Sequence, residues 1–427
     1  MNLNLTKTLS YLVVLLTLVS MNQWSLIHIG NTTTSWVLYL VITFLFITLQ
    51  KTYYNSSNAR NLVFLKIYLA WVVISIVRGF FVAEYYWDYK SLIHSGFALL
   101  MPISIFILMH PKLTKEVLYR WFLLALPLFL VYSILIETGS YGRYLIPVSF
   151  LGLFLLLLPK KWKIIVLLVS LFVVVINLDA RSNVIKFGVT LLFSGLLFFP
   201  KLVHSKWLKM GFKFFFLLPI ILLVLGLTNT FNVFKLDEYI EGDYMETVIV
   251  DNEEKEVSLK ADTRTFLYIE VLQSALNNNY VIFGRTPARG NDSSHFGSHA
   301  AEELGTGRYE RYSNEVSILN IFTWLGIIGV LLYLLVYYKA AHLAIYQSNN
   351  VYLKMLGLYV AFRWAYVWVE DPNRFDIMNL MLWIVVAMCY SKQFRQMNDT
   401  EFKLWFNSLL PFERKRIKLK KITNTTT

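Results

Sequence analysis

Long apolar runs recur along almost the whole chain, and they constrain the fold more than any other feature. Of the 427 residues, 56% are hydrophobic and only 16% are charged, which leaves too little polar surface for a soluble domain. A helix needs about 20 mostly apolar residues to cross the hydrocarbon core of a membrane. The composition therefore predicts an all-α polytopic membrane protein.

About twelve candidate transmembrane helices can be delimited, nine before residue 230 and three after residue 316. The first nine are Thr8–Ile27, Thr34–Leu49, Leu62–Ala83, Leu92–Met109, Val117–Ile136, Tyr144–Leu158, Ile164–Leu178, Val184–Phe199 and Phe212–Leu227. The last three are Ser317–Tyr338, Val351–Val369 and Ile377–Tyr390. The first run has no cleavage-site pattern, so we expect it to be retained rather than removed as a signal peptide.

Lysine and arginine are concentrated in alternate loops between these spans, and this bias predicts the orientation. The richer loops contain Lys51 and Arg60, Lys112 and Lys115, Lys160 to Lys163, and Lys201 to Lys209, and the tail Arg414–Lys421 continues the series. The poorer loops are Asn22–Thr33, Glu84–Lys90 and Glu370–Asp376. We therefore expect both termini to be cytoplasmic.

The segment 230–316 differs in charge from the rest of the chain. Between Thr230 and Val316 there are 8 Lys and Arg against 16 Asp and Glu, a net charge of −8 in a chain of +13. The predicted organisation is an N-terminal membrane bundle (1–229), this large external insert (230–316), C-terminal membrane helices (317–391) and a basic cytoplasmic tail (392–427). The concentration of polar residues makes the insert the expected location of the chemistry.

Within the insert, the sequence predicts a hairpin, an amphipathic helix and a loop. Met245–Val250 and Lys255–Leu259 are β-prone runs around a polar turn. Ala261–Leu276 has apolar residues at helical spacing, with Asp262 as the expected N-cap. Phe283–Gly307 has no periodicity, and a long ordered loop of this kind is uncommon without a binding or lid role.

Arginine is unusually frequent on the side predicted to be external. Two arginines, Arg143 and Arg181, follow spans, and five lie in the insert: Arg264, Arg285, Arg289, Arg308 and Arg311. The planar guanidinium suits bidentate contacts with phosphate. The alternative is that they pair with nearby acids, which we favour for Arg308 and Arg311; Asp179 is a possible partner for Arg181.

Three residues of the insert are candidates for a general base. His295 and His299 lie four residues apart, and Glu315 immediately precedes the tenth span. A metal site at the two histidines is the weaker interpretation, because the surrounding glycines do not favour a helix. Histidine accepts protons near neutral pH, so proton transfer is the stronger interpretation. Glu315 is equally compatible with a solvated position at a helix start.

Three short motifs follow one another around the insert. They are Ala180–Arg181–Ser182, Thr263–Arg264–Thr265–Phe266 with Phe283–Gly284, and Tyr312–Ser313–Asn314–Glu315 with Leu325–Gly326–Ile327–Ile328–Gly329. Their order and spacing resemble those of the O-antigen ligase/polymerase superfamily of bacterial membrane glycosyltransferases. The resemblance covers roughly residues 179–338.

The resemblance implies a donor glycan carried on undecaprenyl pyrophosphate at the outer face of the bacterial inner membrane. Arg181, Arg264, Arg289 and Arg285 would bind the pyrophosphate and stabilise its developing charge without a metal or cofactor. Many members have His where this chain has Ser313, so the general base would be His295, His299 or Glu315.

The expected function is a polymerase of O-antigen, capsule or exopolysaccharide repeat units, with chain-length regulator and flippase proteins as expected partners. A ligase of the same superfamily, which transfers finished glycan to a lipid A core or a protein, is the near alternative. A non-enzymatic exporter or flippase is the alternative of another class, but it predicts repeated bundles, and no internal repeat is evident.

Overall fold

The computed structural model describes residues 2–54, 56–176, 181–199, 205–228, 230–235, 245–250, 253–258, 264–411 and 413. Its secondary structure is helical apart from two short antiparallel pairs of strands within the described ranges. The α-helices are α1 Asn2–Val19, α2 Thr32–Tyr53, α3 Val63–Val82, α4 Tyr86–Leu100, α5 Ile105–Leu108, α6 Pro111–Arg120, α7 Leu126–Tyr132, α8 Tyr141–Tyr144, α9 Ile146–Leu153, α10 Lys160–Val175, α11 Arg181–Leu196, α12 Ser205–Leu227, α13 Thr265–Asn277, α14 Gly297–Glu303, α15 Ser317–Gln347, α16 Val351–Tyr366, α17 Ile377–Tyr390, α18 Lys392–Gln396 and α19 Asp399–Asn407. The strands are β1 Met245–Val250, β2 Glu253–Ser258, β3 Asn291–Asp292 and β4 Glu310–Arg311.

Six helical segments of the described chain are long and apolar enough to cross a membrane, which supports the all-α membrane class. They are Asn4–Trp24, Thr32–Tyr53, Ala59–Val82, Tyr86–Leu108, Lys206–Leu227 and Ser317–Gln347, with the shorter apolar helix Ile377–Tyr390. The count of twelve spans stays a prediction, because several predicted spans form shorter or interrupted helices. For example, the run Val117–Ile136 is interrupted by the π-helical turn Trp121–Ala125, which Pro127 follows.

The helices after the insert form the centre of the bundle. Every residue of α17 is buried, and α17 packs against α15, α16 and the segment before α5. Tyr333 and Tyr337 of α15 contact Trp383 of α17 through their rings. By contrast, α12 lies at the rim of the bundle, since only 17% of its most apolar stretch is buried inside the protein. The C-terminal helices therefore supply the buried centre of the fold.

The loops that were predicted to share one side do meet at one end of the bundle. Residues 25 and 136 form an isolated β-bridge, Tyr366 donates a hydrogen bond to the Ser182 carbonyl, and Arg308 reaches Asp88. At the other end, Tyr53 contacts His110, and Trp405 donates to the Pro111 carbonyl. Which end faces the cytoplasm stays a prediction.

The insert contains the predicted hairpin, in which β1 pairs with β2 antiparallel from Met245↔Ser258 to Val250↔Glu253. The second strand begins at Glu253, two residues before its predicted start. The described part of the amphipathic helix is α13, preceded by Arg264. Asp262, the predicted N-cap, lies outside the described residues.

The prediction of a structureless loop over Phe283–Gly307 was wrong in part. Gly297–Glu303 forms the short helix α14, and β3 pairs with β4. The helix and the two strands are too short to produce a periodic pattern in the sequence. In addition, each strand forms only because it pairs with the other, about twenty residues away. His295 lies before α14 and His299 within it, so the two histidines do not share a helix face.

Two glycines from different motifs pack backbone to backbone where the insert crosses α15. Gly284 has φ +71°, and a Cβ built on it would lie 2.5 Å from the amide nitrogen of Gly326. Gly326 itself breaks the regular geometry of α15 with φ 68° and ψ −170°. The amides of Arg285 and Ile327 cross-bond the two segments, donating to the carbonyls of Thr323 (2.6 Å) and Val281 (2.9 Å). The glycines are therefore required for the close approach of the loop to the kinked helix.

Gly326→Ala is expected to destabilise the protein by at least about 1–3 kcal/mol, because its backbone region is almost exclusive to glycine. The added Cβ would also lie 2.2 Å from the Ile282 carbonyl oxygen. Thermal unfolding of the detergent-solubilised protein, followed by tryptophan fluorescence, measures the effect. Gly195→Ala is the matched control, since a Cβ there has open space in a regular helix. Equal melting temperatures for the two variants would contradict the inferred role of Gly326.

Candidate active site in the insert

The helix α13 connects the insert to the membrane bundle. It buries Leu267, Glu270 and Val271, while Ile269 is 50% and Leu276 is 68% exposed. Tyr268 donates a hydrogen bond of 2.5 Å to the Trp368 carbonyl in the connection between α16 and α17. The helix thus has one face on the bundle and an exposed apolar face.

Glu270 is the acid on the buried face of α13, and the loop 293–295 is folded around its carboxylate. Oε2 accepts from the Ser293 hydroxyl at 2.8 Å; Oε1 accepts from the amide and hydroxyl of Ser294, both at 2.8 Å, and from the amide of His295 at 3.1 Å. Burial raises the pKa of Glu270, but the hydrogen bonds from His295, Ser293 and Ser294 outweigh this effect and lower the pKa to about 2. Glu270 is therefore a fixed anion at neutral pH.

His295 lies against this anion with its ring open to solvent. Its Nδ1 is 3.0 Å from Oε1 of Glu270, and its side chain is 59% exposed. One face of the imidazole packs on the Phe266 ring at a centroid distance of 4.7 Å. Phe266 belongs to the first turn of α13, the helix that Arg264 precedes.

Glu315 lies between two guanidinium groups. Its Oε2 is 3.9 Å from Nη2 of Arg264, and its Oε1 is 3.7 Å from Nη2 of Arg311. Arg311 in turn stacks on the Phe296 ring at 4.3 Å. This chain of contacts brings two of the three candidate bases, His295 and Glu315, to one site with Arg264.

His299 belongs to α14, but the position of its side chain lies outside the described part of the chain. No group of three or more His, Cys, Asp or Glu side chains in the described residues could hold a metal ion. Proton transfer and anion binding are the chemistry that the described groups provide.

Arg285 and Arg289 lie on the far side of this loop, and both contact Glu310. Arg289 forms a two-pronged contact with that carboxylate, and its hydrogen bond to Glu310 raises the pKa of Arg289. Arg285 is 3.2 Å from Glu310 Oε1 and 2.8 Å from Asp292 Oδ1. Their role in binding pyrophosphate stays a prediction, but both hold the fold of the insert.

Arg308 pairs with acids, as its sequence surroundings suggested, although the partners come from a different part of the chain. It contacts Asp88 and, at 3.5 Å, Glu84, and its guanidinium lies 4.7 Å from the Tyr85 ring. Tyr312 donates a 2.6 Å hydrogen bond to the same Asp88 carboxylate. These contacts attach the insert to the start of α4.

The turn 366–370 joins the starts of α11 and α13. Arg264 donates through Nε to the Val369 carbonyl at 2.9 Å, and Tyr366 donates to the Ser182 carbonyl at 3.3 Å. Arg181, the first residue of α11, adjoins Ser182 and is half-buried. Asp179, its predicted alternative partner, lies outside the described residues. The structure therefore places Arg181 and Arg264 beside one turn.

Lys186, one turn beyond Arg181, was missed as a candidate from the sequence. It forms an ion pair of 2.8 Å with Glu370, and the two side chains are only 3% and 12% exposed. The signal was available, because a cation within an apolar run needs a buried partner. Glu270 was also missed, because it lies on the buried face with Leu267 and Val271, whereas the apolar spacing that predicted the helix includes Ile269 and Leu276, which the structure leaves exposed.

A large apolar cavity of about 630 Å³ opens beside this turn. It lies between α12, α13 and α16. Its lining residues include Leu218, Leu222, Ile269, Phe362 and Tyr366. Two neighbours of Arg264 also line the cavity: Thr265, which follows it in the chain, and Val369, whose carbonyl accepts its hydrogen bond. The apolar space therefore begins beside this arginine.

No protein-family model matches the chain, and no curated protein and no solved structure shows a significant match. The fold and the site define an all-α membrane protein with a polar insert, which the structure describes continuously from residue 264 onward. The resemblance to the O-antigen ligase/polymerase superfamily rests on the three motifs.

Proposed function

We propose that the protein is a membrane glycosyltransferase that polymerises oligosaccharide repeat units carried on undecaprenyl pyrophosphate. It would act at the outer face of a bacterial inner membrane, with about twelve spans, cytoplasmic termini and a periplasmic insert. The observation that carries the proposal is the apolar cavity that begins beside Arg264, in contact with the turn that also adjoins Arg181. A lipid pyrophosphate needs such a combination of an apolar channel and a cationic head site.

The head site combines two kinds of positive charge. Arg181 and Arg264 lie at the first turns of α11 and α13, and helix N-termini favour anions through their free amides and their dipoles. Guanidinium groups bind two phosphate oxygens at once. When the glycosyl bond breaks, negative charge grows on the pyrophosphate, so these groups would stabilise the transition state.

The cavity suits the lipid tail because of its chemistry and its position. Its walls are formed mainly by Leu, Ile, Phe and Val side chains, and α12 at the bundle rim forms one wall. Pro219 lies inside α12 within this wall. A prenyl chain could therefore extend from the head site along α12 towards the lipid.

Deletion of the gene tests the proposal at the level of the cell. A polymerase mutant is expected to lose long glycan chains while single repeat units remain attached to their final acceptor. Electrophoresis of the surface glycan, with a complemented strain as the control, distinguishes the outcomes. Accumulation of full-length polymer on the lipid carrier would instead indicate a ligase, and an unchanged glycan profile would refute both activities.

A further inference from the structure

We propose that His295 is the general base of the reaction and that Glu270 is its positioning residue. This inference rests on the proposed function, because it assigns the group that activates the acceptor hydroxyl. The hydroxyl oxygen attacks the anomeric carbon, the bond from that carbon to the pyrophosphate oxygen breaks, and the electron pair leaves on the pyrophosphate. The hydroxyl proton passes to Nε2 of His295.

The contact between the two residues determines which nitrogen can act. A carboxylate can only accept, so Nδ1–H of His295 donates to Oε1 of Glu270, at 3.0 Å. The neutral ring then has its lone pair on Nε2. That atom has no hydrogen-bond partner among the residues the structure describes, and the side chain is 59% exposed. The ring thus presents an available base to an acceptor that arrives from solvent.

The geometry of the pair is fixed before substrate binds. Glu270 is 8% exposed and is bound by Ser293, Ser294 and the His295 amide as well as by the imidazole. The serines and amides alone would satisfy the carboxylate, so a role in folding does not require the histidine ring. The ring is additionally held by Phe266 at 4.7 Å. A pre-oriented carboxylate and imidazole are the arrangement that general-base catalysis needs.

Glu315 is less suited to be the base. Its carboxylate lies 3.9 Å from a guanidinium nitrogen of Arg264 and 3.7 Å from one of Arg311. Each of its two oxygens therefore faces a guanidinium group rather than an incoming hydroxyl. Its position between the arginines fits orientation of Arg264 instead.

Kinetics with lipid-linked repeat units extracted from the deletion strain tests the assignment. His295→Ala is expected to lower kcat by about 10²–10⁴-fold with little change in KM, because only proton transfer in the transition state is lost. Added imidazole should restore part of the rate in this variant. His28→Ala is the matched control, since His28 is an exposed histidine of the loop between α1 and α2 and should react at the wild-type rate.

The response of kcat and KM separates the positioning role of Glu270 from a structural one. Glu270→Gln removes the carboxylate that accepts from Nδ1–H of His295, so kcat should fall at least about 10-fold while KM stays near the wild-type value. Ser293→Ala removes one hydrogen bond to Oε2 of Glu270 but keeps the carboxylate beside the ring, so its kcat should fall less.

The outcomes are distinguishable. Wild-type protein that does not extend the lipid-linked units refutes the proposed function and the base role with it. An active wild type with an unimpaired His295→Ala variant refutes the base alone. A kcat that falls equally in Glu270→Gln and Ser293→Ala refutes the positioning role of Glu270.

Discussion

Arg264→Ala should reduce chain extension by about 10²–10³-fold, the usual effect of removing one donor that stabilises developing negative charge. The guanidinium is oriented in advance, because its Nε is bonded to the Val369 carbonyl and its Nη2 lies 3.9 Å from Glu315. Arg181→Ala should have an effect of the same order. Gel analysis of glycan length and initial rates in reconstituted vesicles measure the loss.

Arg264→Lys distinguishes the shape of the group from its charge. Lysine retains the positive charge but lacks the planar fork with which arginine can bond to Val369 through Nε and present two parallel N–H groups to phosphate, so we expect an intermediate rate. Arg60→Ala is the matched control, because Arg60 is exposed just before the start of α3, whereas the insert contacts α3 near its other end, where Arg78 donates to the Phe283 carbonyl. Full-length glycan in Arg264→Ala cells, at a normal protein level, would remove Arg264 from the site.

The fold could be anticipated from the sequence where one segment alone decides the structure. The apolar runs predicted the membrane class, two β-prone runs around a polar turn predicted the hairpin β1–β2, and helical spacing predicted the helix α13. The break in α15 at Gly326 could not be anticipated in this way. It depends on the approach of Gly284, more than forty residues away, whose neighbours form the missing hydrogen bonds.

The site was only partly predictable, since ion-pair partners are chosen by the fold. Sequence reasoning grouped the arginines of the insert by their chemistry, but Arg289 faces Glu310 and Arg308 faces Asp88, 220 positions earlier in the chain. His295 was named as a candidate from its residue type alone. Its pairing with Glu270 required α13 and the loop 293–295 to be placed side by side.

Glu370→Gln should be the most destabilising charge substitution near the site. It would leave Lys186, 3% exposed, without its carboxylate partner, and removing one member of a buried ion pair costs about 3–5 kcal/mol. Burial raises the pKa of Glu370, but the positive charges of Lys186 and Arg363 outweigh this effect and lower it. The carboxylate is therefore ionised and balances the charge of both cations. The melting temperature of the solubilised protein measures the loss.

Lys186→Met should cost less than Glu370→Gln, because Arg363 and Arg143 still balance the remaining acid. In the double variant both charges are gone, so we expect its melting temperature to exceed that of Glu370→Gln alone. Lys51→Met, at an exposed position in the last turn of α2, controls for loss of a lysine charge. A double variant that is destabilised by the sum of the two single effects would show that the two residues stabilise the bundle independently. The ion pair would then not be what holds the start of α11 against the turn that binds Arg264.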